Sequence, residues 1–220
     1  MNSGKSTAML QAAFNYEERG QQVLLAKPRI DTKGDSLIIS RLGVSRPVDF
    51  VVEPDDDVYA IFVRERERVL RSTGVGVSCL LVDEAQFLTE SQVDDLLRIA
   101  IQEAVPVLAY GIRTDFQTVA FPGSRRLLEI SHSLEELKTI CRCGRKAVFN
   151  ARQIGGVFTF DGDQVAIDAS MASGAEVSYE SLCGQCYLEE SNGQLGSVRR
   201  RVLVEPAETA YGSAPDPDFT

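Results

Sequence analysis

Short apolar segments alternate with helical patterns along the first 137 residues of the sequence. The apolar segments include QVLLAKP, CLLVD and VPVLAYG, and helical spacing of apolar residues recurs near 6–19, 58–71 and 90–104. Parallel strands need long connections, which helices usually supply. The alternation therefore predicts an α/β fold with a parallel sheet covered by helices on both faces.

Two finer expectations concern the segments between the first strand and the second helix. The stretch DTKGDSLIISRLGVSRP is polar with scattered glycines, and we expect it to form a loop. In the helix predicted over 58–71, we expect Tyr59, Phe62, Val63 and Leu70 to face the core.

The N-terminal residues SGKST match the second half of a phosphate-binding loop, whose full pattern is G-x-x-x-x-G-K-[ST]. In such a loop, N–H groups at a helix N-terminus surround the phosphates. Lys5 would reach the β- and γ-phosphates, and the Ser6 hydroxyl would bind Mg²⁺. The opening glycine of the pattern and the strand before it do not precede SGKST, so we expect the first central strand to be missing and the natural protein to begin upstream. The alternative is that Ser3 simply caps an ordinary helix.

The segment VDEAQF places two carboxylates at the end of an apolar strand, about 75 residues after the loop. Ligands bind at the carboxyl ends of strands in open α/β sheets. Asp83 suits a magnesium site, and Glu84 can accept a proton from an attacking hydroxyl or water. Together the two motifs predict a P-loop phosphotransferase or NTPase.

Four of the five cysteines form two close pairs, about 40 residues apart, in a segment of short alternating strands. Cys141, Cys143, Cys183 and Cys186 predict a tetrahedral zinc site in a small β-rich subdomain over residues 138–190. Because four thiolates leave no open position, this Zn²⁺ would be structural; Gly144 would allow the turn that the C-R-C pair needs. A redox pair at Cys183 and Cys186 is the alternative. Residues 1–137 would form the P-loop domain, and residues 191–220 a disordered tail.

The formal charge of −9 opposes broad binding to nucleic acid. No apolar run reaches the roughly 18 residues of a membrane helix, and no signal peptide is recognisable. We therefore expect a cytoplasmic protein that binds neither membrane nor nucleic acid. In such a setting Cys79, within an apolar strand, is expected to be a plain buried residue.

Seven motifs in sequence order resemble the thymidine kinases of the cellular and bacterial class, over residues 1 to about 188. They are SGKST, KPRID, SRLG, VDEAQF, GIRTDF followed by Phe121, LKTICRCGRKA and YESLCGQC. That class joins a P-loop domain to a zinc-ribbon-like lasso domain. The resemblance implies transfer of the ATP γ-phosphoryl group to the 5′-hydroxyl of thymidine, giving dTMP, with Mg²⁺. It also implies a homotetramer and feedback inhibition by dTTP.

The resemblance also implies roles for individual residues. Glu84 would be the base on the 5′-hydroxyl, and Ser6 and Asp83 would hold magnesium. The nucleoside would be bound by Asp31, Phe87, Phe116, Phe121 and Tyr179, although core packing is an alternative for the phenylalanines. ATP phosphates would lie against Met1, Asn2, Ser3, Gly4, Lys5, Ser6 and Thr7.

Two departures from the family pattern are visible. Lys33 stands where an arginine is usual, and a lysine cannot make a bidentate phosphate contact. Gly174-Ala175 replaces a Gly-Gly pair in the lasso. Two other function classes also stay open from the residues alone: a nucleic-acid-dependent ATPase, because DEAQ resembles a helicase box, and an inactive nucleotide-binding protein.

Overall fold

A computed structural model describes residues 4–29, 37–39, 43–162, 164 and 176–195. Its helices are α1 (Lys5–Glu17), α2 (Val58–Thr73), α3 (Glu90–Gln102), α4 (Pro122–Ile130) and α5 (Gly184–Glu190). The first six strands are β1 (Gln22–Pro28), β2 (Leu37–Ile39), β3 (Ser45–Pro47), β4 (Phe50–Val52), β5 (Val77–Val82) and β6 (Val107–Ala109). The remaining strands are β7 (Thr139–Ile140), β8 (Lys146–Ala147), β9 (Phe149–Ile154), β10 (Val157–Thr159) and β11 (Val177–Leu182). Within the described part of the chain, no helix has the length and apolar character needed to span a bilayer.

A four-stranded parallel sheet with the order β4-β1-β5-β6 organises the first part of the chain. Successive residues of β1 point to opposite faces, as strand geometry requires. Leu24 lies in one apolar cluster with Phe62 of α2 and Leu96 of α3. Leu25 lies in a second cluster with Met9 of α1. Helices therefore cover both faces of the sheet, which confirms the predicted α/β class.

The helices begin and end where side chains and glycine satisfy their terminal backbone groups. Asp57 caps α2 by accepting from the N–H of Ala60, and Gly74 ends α2 in the left-handed conformation. Thr89 and Gln92 form a reciprocal capping box at the start of α3. Gly74 therefore sets where α2 ends and the chain turns toward β5. The capping box sets where α3 begins after β5.

Two of the finer sequence expectations are wrong. The expected loop after β1 contains an antiparallel pair, β2 and β3, and Ile38 is buried in the α1 cluster. Leu70 is 49% exposed, whereas its neighbour Val69 is buried. One residue corresponds to about 100° around a helix, so Val69 rather than Leu70 continues the apolar stripe of Val58 and Phe62.

The cysteine-bearing part of the chain forms a separate set of short strands. β9 lies between β10 and β11 in an antiparallel sheet, and β7 pairs with β8. The small core of this part includes Leu182 and Tyr187. This part is β-rich, as the sequence predicted.

Candidate active site

The start of α1 has the backbone geometry expected after a phosphate-binding loop. Gly4 adopts φ +70°, which glycine tolerates because it has no Cβ. Its carbonyl accepts from the N–H of Ala8 at 2.9 Å, so the helix begins at Lys5. The N–H groups of a first helical turn have no partner inside the helix and attract anions. Lys5, Ser6 and Thr7 all lie in this first turn.

Asp83 lies at the carboxyl end of β5 and is 5% exposed. Its N–H donates to the carbonyl of Ala26 at 2.9 Å, which joins the ends of β5 and β1. Burial raises the pKa of Asp83, and the charge of Glu84 adds to this effect. Lys5 and Lys27 lower the pKa in opposition, so both ammonium groups lie within electrostatic range of the carboxylate. The fold thus brings together the predicted Lys5 and Asp83.

Glu84 occupies a strained turn directly after Asp83. It adopts φ 49° and ψ 36°, a left-handed conformation that side chains other than glycine adopt at a cost. Its N–H donates to Oδ1 of Asp83 at 2.9 Å, and its Oε2 accepts from Nε2 of Gln86. The turn leads into a short 3-10 helix, Ala85–Phe87, and leaves the Glu84 side chain half-buried.

Three of the predicted aromatic residues lie in segments that follow the carboxyl ends of β5 and β6. The rings of Phe87 and Phe121 meet edge to face, with centroids 5.4 Å apart. Phe116 is 1% exposed, and the guanidinium of Arg152 lies over its ring at 3.8 Å. The fourth, Tyr179, is paired with Arg152 across β11 and β9. Burial raises the pKa of Tyr179, and the charge of Arg152 opposes this effect.

The loop that carries Phe116 is attached to the cysteine-bearing part by direct hydrogen bonds. The Tyr187 hydroxyl donates to the carbonyl of Phe116 at 2.6 Å. Gln117 Nε2 donates to the carbonyl of Phe160 at 3.0 Å. These contacts connect the Phe116 loop to α5 and to the residue that directly follows β10.

The four paired cysteines converge in space, with sulfur atoms that all lie within 4.8 Å of one another. Gly144, at φ +86°, donates its N–H to the carbonyl of Cys141 at 2.8 Å, which confirms the predicted turn. The N–H of Cys186 is the main cause that lowers the pKa of Cys183 to about 6. Thiolates are the form that binds metal, so this cluster could hold a metal ion. Cys79 lies apart, fully buried in the sheet, as expected.

Some predicted residues lie outside the described part of the chain. They are Met1, Asn2, Ser3 and Asp31 of the predicted site, together with Lys33, Gly174 and Ala175.

Three further residues at the site were missed in the sequence. Lys27 lies within β1 near its carboxyl end, and a lysine at the end of an apolar strand was a usable signal. Arg152 interrupts the alternation of β9 as a buried charge, which sequence alone does not distinguish from a surface residue. The contact of Gln86 with Glu84 depends on the left-handed turn at Glu84, which the sequence does not predict.

The fold and site define a class of α/β proteins in which a lysine at a helix start lies near acidic residues at the end of a parallel strand. P-loop phosphotransferases and NTPases use this arrangement to hold nucleoside triphosphates. The cluster of four cysteines is not part of this general arrangement and distinguishes the chain within the class.

Comparison with known proteins identifies the family within that class. The family profile described as thymidine kinase matches residues 1–187. A thymidine kinase of Legionella pneumophila (strain Lens) is 43% identical over 200 residues, which cover 90% of this chain and 88% of the relative. A thymidine kinase of Ruegeria pomeroyi is 44% identical over 200 residues, covering 90% of this chain and 93% of the relative. A thymidine kinase of Mesorhizobium japonicum is 45% identical over 192 residues, covering 86% and 88%. The chain therefore belongs to the thymidine kinase family.

Proposed function

We propose that this chain transfers the γ-phosphoryl group of ATP to the 5′-hydroxyl of thymidine, giving dTMP and ADP. The observation that carries the proposal is the approach of Lys5, at the start of α1, to the Asp83-Glu84 end of β5 in a member of this family. The nucleic-acid-dependent ATPase is not favoured, because the matched relatives carry the thymidine kinase name.

The phosphates of ATP would lie at the start of α1. The N–H groups of Gly4, Lys5, Ser6 and Thr7 and the ammonium of Lys5 supply positive potential, and Met1, Asn2 and Ser3 would complete the loop. The Ser6 hydroxyl and the Asp83 carboxylate are oxygen ligands of the kind that Mg²⁺ prefers. When bound, Mg²⁺ would neutralise charge on the transferring phosphoryl group.

Glu84 is the proposed base. As the 5′-oxygen forms its bond to the γ-phosphorus, the bond from that phosphorus to the β-phosphate oxygen breaks, and the hydroxyl proton passes to the Glu84 carboxylate. ADP leaves with the electron pair of the broken bond. The Gln86 amide donates to one carboxylate oxygen, and the other oxygen is then available to the substrate.

The nucleoside would lie along the aromatic residues of the sheet edge. Phe87, Phe116, Phe121 and Tyr179 offer ring faces and edges against which a pyrimidine packs, and Asp31 would contact the sugar. Hydrogen bonds from Tyr187 and Gln117 support the position of the Phe116 loop.

The metal of the cysteine cluster is proposed to be a structural Zn²⁺. Four sulfur ligands are typical of such sites, and they leave no open position for substrate. We also propose a P-loop domain over residues 1–137, a zinc-binding domain over 138–190 and a disordered tail over 191–220. A cytoplasmic homotetramer inhibited by dTTP, with the dTTP phosphates in the donor site, completes the proposal.

The test is conversion of thymidine and ATP to dTMP and ADP by the purified protein, followed by chromatography of both products. The variant Glu84→Gln is expected to lose about 10²- to 10⁴-fold in kcat, because it cannot accept the proton. Glu90→Gln is the matched control, since Glu90 is an exposed acid at the start of α3. Equal stoichiometric formation of ADP and dTMP supports the kinase. ADP without dTMP, stimulated by added DNA or RNA, would instead support the ATPase.

A further inference from the structure

We propose that Gln86 is a positioning residue that holds the Glu84 carboxylate in its reactive orientation. The inference rests on the proposed role of Glu84 as the base. Gln86 is 1% exposed, and both the nitrogen and the oxygen of its side-chain amide make hydrogen bonds. Nε2 donates to Oε2 of Glu84, and Oε1 accepts from the N–H of Ile112 at 3.2 Å. The amide therefore links the end of β5 to the loop that follows β6.

The neighbouring backbone leaves little room for Gln86 to move. A Cβ added at Gly111 would lie 2.8 Å from Oε1 of Gln86 and 3.2 Å from its backbone nitrogen. On the other side of the turn, a Cβ added at Gly123 of α4 would lie 2.6 Å from the carbonyl oxygens of Ala85 and Leu88. Two glycines thus allow the loop after β6 and α4 to pack closely against the segment that carries Gln86.

An amide is suited to this position because it offers one donor and one acceptor in a fixed geometry. A glutamate here would have no hydrogen to donate and would add a like charge beside Glu84. A leucine would fill the same volume but make neither bond. Glu84 lies in a strained left-handed turn, so a hydrogen bond that fixes its side chain restricts the orientations open to the carboxylate.

Other charged groups around the turn stay unchanged when Gln86 is replaced. The charged groups that act on Asp83 are Glu84, Lys5 and Lys27. From the elements packed against the turn, Arg126 of α4 pairs with Asp94 and Glu129, and Arg113 donates to the carbonyl of Val148. A change of rate after replacement of Gln86 therefore reports on its own contacts.

The first variant is Gln86→Leu in the full chain, with kcat and both KM values measured for ATP and thymidine. We expect kcat to fall by about tenfold to a hundredfold, the value of one hydrogen bond to a charged group. Both KM values are expected to stay within about threefold, because the lost contact acts on the reacting carboxylate. A kcat equal to that of the original protein would overturn the inference.

A double-mutant cycle with Glu84→Ala tests whether Gln86 acts through Glu84. If it does, the double variant is no slower than Glu84→Ala alone. Two independent losses that multiply in the double variant would show that Gln86 acts elsewhere. Full activity in Glu84→Ala alone would instead refute the proposed base, so the two failures are distinguishable.

Gln92 provides the matched control, because it is also a buried glutamine with side-chain hydrogen bonds. Its Nε2 donates to the carbonyl of Glu53 at 2.8 Å and not to the Glu84 carboxylate. Gln92→Leu is expected to lower the melting temperature and leave kcat of the folded protein unchanged. If Gln86→Leu does not fold, Gly111→Ala provides a second variant, since its Cβ would displace the Gln86 amide. It is expected to lower kcat in the same direction by a smaller factor, and an unchanged kcat there would contradict the inference.

Discussion

The parallel-sheet region and the cysteine-bearing region are stabilised by different means. Around the sheet, large apolar side chains are buried on both faces, among them Leu24, Leu25 and Phe62. In the cysteine-bearing region, three of the seven buried members of the core cluster, among the described residues, are Cys141, Cys183 and Cys186. The sheet can fold by hydrophobic burial, whereas the smaller region would depend on a metal ion held by its sulfur atoms.

Because of that difference, the proposed catalytic groups and the cysteine cluster lie in regions that are stabilised differently. The described residues of the proposed phosphate, magnesium and base groups lie at the start of α1 and directly after β5, two elements that pack together through apolar side chains. The loop that carries Phe116 lies between the two regions and depends on both. Perturbing either region should therefore give distinct, measurable outcomes.

The largest expected effect comes from Cys183→Ser. Structural zinc sites contribute about 10–16 kcal/mol at neutral pH, far more than the small apolar core can replace. We expect metal content to fall from one ion per chain to near zero. Hydrogen exchange should become fast in β9 and β11 while β1 and β5 stay protected, and dTMP formation should be lost.

Cys79→Ala is the control for this variant, because Cys79 is buried in the sheet and belongs to a different apolar cluster from the other cysteines. It should retain one metal ion per chain. Slow exchange in β9 and β11 of a metal-free Cys183→Ser protein would contradict the contrast between the regions.

The second effect is expected from Phe62→Ala on α2. Phe62 is completely buried against the sheet, so the cavity should cost about 3–5 kcal/mol in the free energy of unfolding. Urea denaturation measures the loss, and metal content of the folded fraction should not change. Leu70→Ala, 49% exposed on the same helix, should cost less than about 1 kcal/mol. Equal losses in the two variants would contradict the described packing of α2.

Tyr187→Phe addresses the connection between the regions. It leaves the buried carbonyl of Phe116 without its hydroxyl donor, at a cost of about 1–3 kcal/mol. Burial, and then the charge of Asp115, raises the pKa of Tyr187 from 10.0 to about 12. The unfolded chain ionises first, so the stability that this group supplies is present below pH 10 and is lost as the pH rises to about 12.

Urea titrations of the original protein and the variant at pH 8 and pH 11 measure both consequences. The difference between them should shrink at the higher pH. A difference that stays constant would show that Tyr187 does not contribute to alkaline destabilisation.

The smallest effect is expected from Asp49→Asn beside β1. Asp49 Oδ2 accepts from the N–H of Leu25 at 2.8 Å, and an asparagine oxygen can keep that bond. Asp49 is exposed as a residue, but desolvation of its carboxylate raises the pKa, so the stability that the protonated carboxyl contributes is complete below pH 3.8 and is lost as the pH rises through the folded-state pKa. At pH 7 the asparagine variant should therefore be more stable, by less than about 1 kcal/mol after solvent screening.

Exposed Asp55→Asn is the control and should change nothing. Both variants are compared by urea denaturation at pH 3.5 and pH 7. A loss of stability in Asp49→Asn at pH 7 would show that its attraction to Arg46 and Arg68 outweighs burial.

The sequence predicts the sheet well because each strand and helix there has its own clear period. VSCLLV has no helical spacing, and α2 and α3 repeat apolar residues every three or four positions. β2 and β3 were missed because they are three residues long, and only Ile38 of β2 is buried. The prediction that Leu70 faces the core is wrong because Val69 is adjacent to it, and two adjacent residues of a helix cannot both point toward the core.

The site is predictable in part, for a different physical reason. Lys5, Asp83 and the cysteines lie in patterns whose chemistry fixes the residue types. Gln86 and Arg152 act through contacts made only after folding, across a left-handed turn and between two strands. Patterns along the chain carry no information about such contacts.

The left-handed backbone at Glu84 has a consequence for engineering the protein. Glycine or asparagine would adopt φ 49° at lower cost, so either is expected to raise thermal stability at this position by up to about 1 kcal/mol. Each would also remove the proposed base. A selection for heat resistance alone would therefore discard the proposed base, whereas a selection for growth on supplied thymidine is expected to keep it.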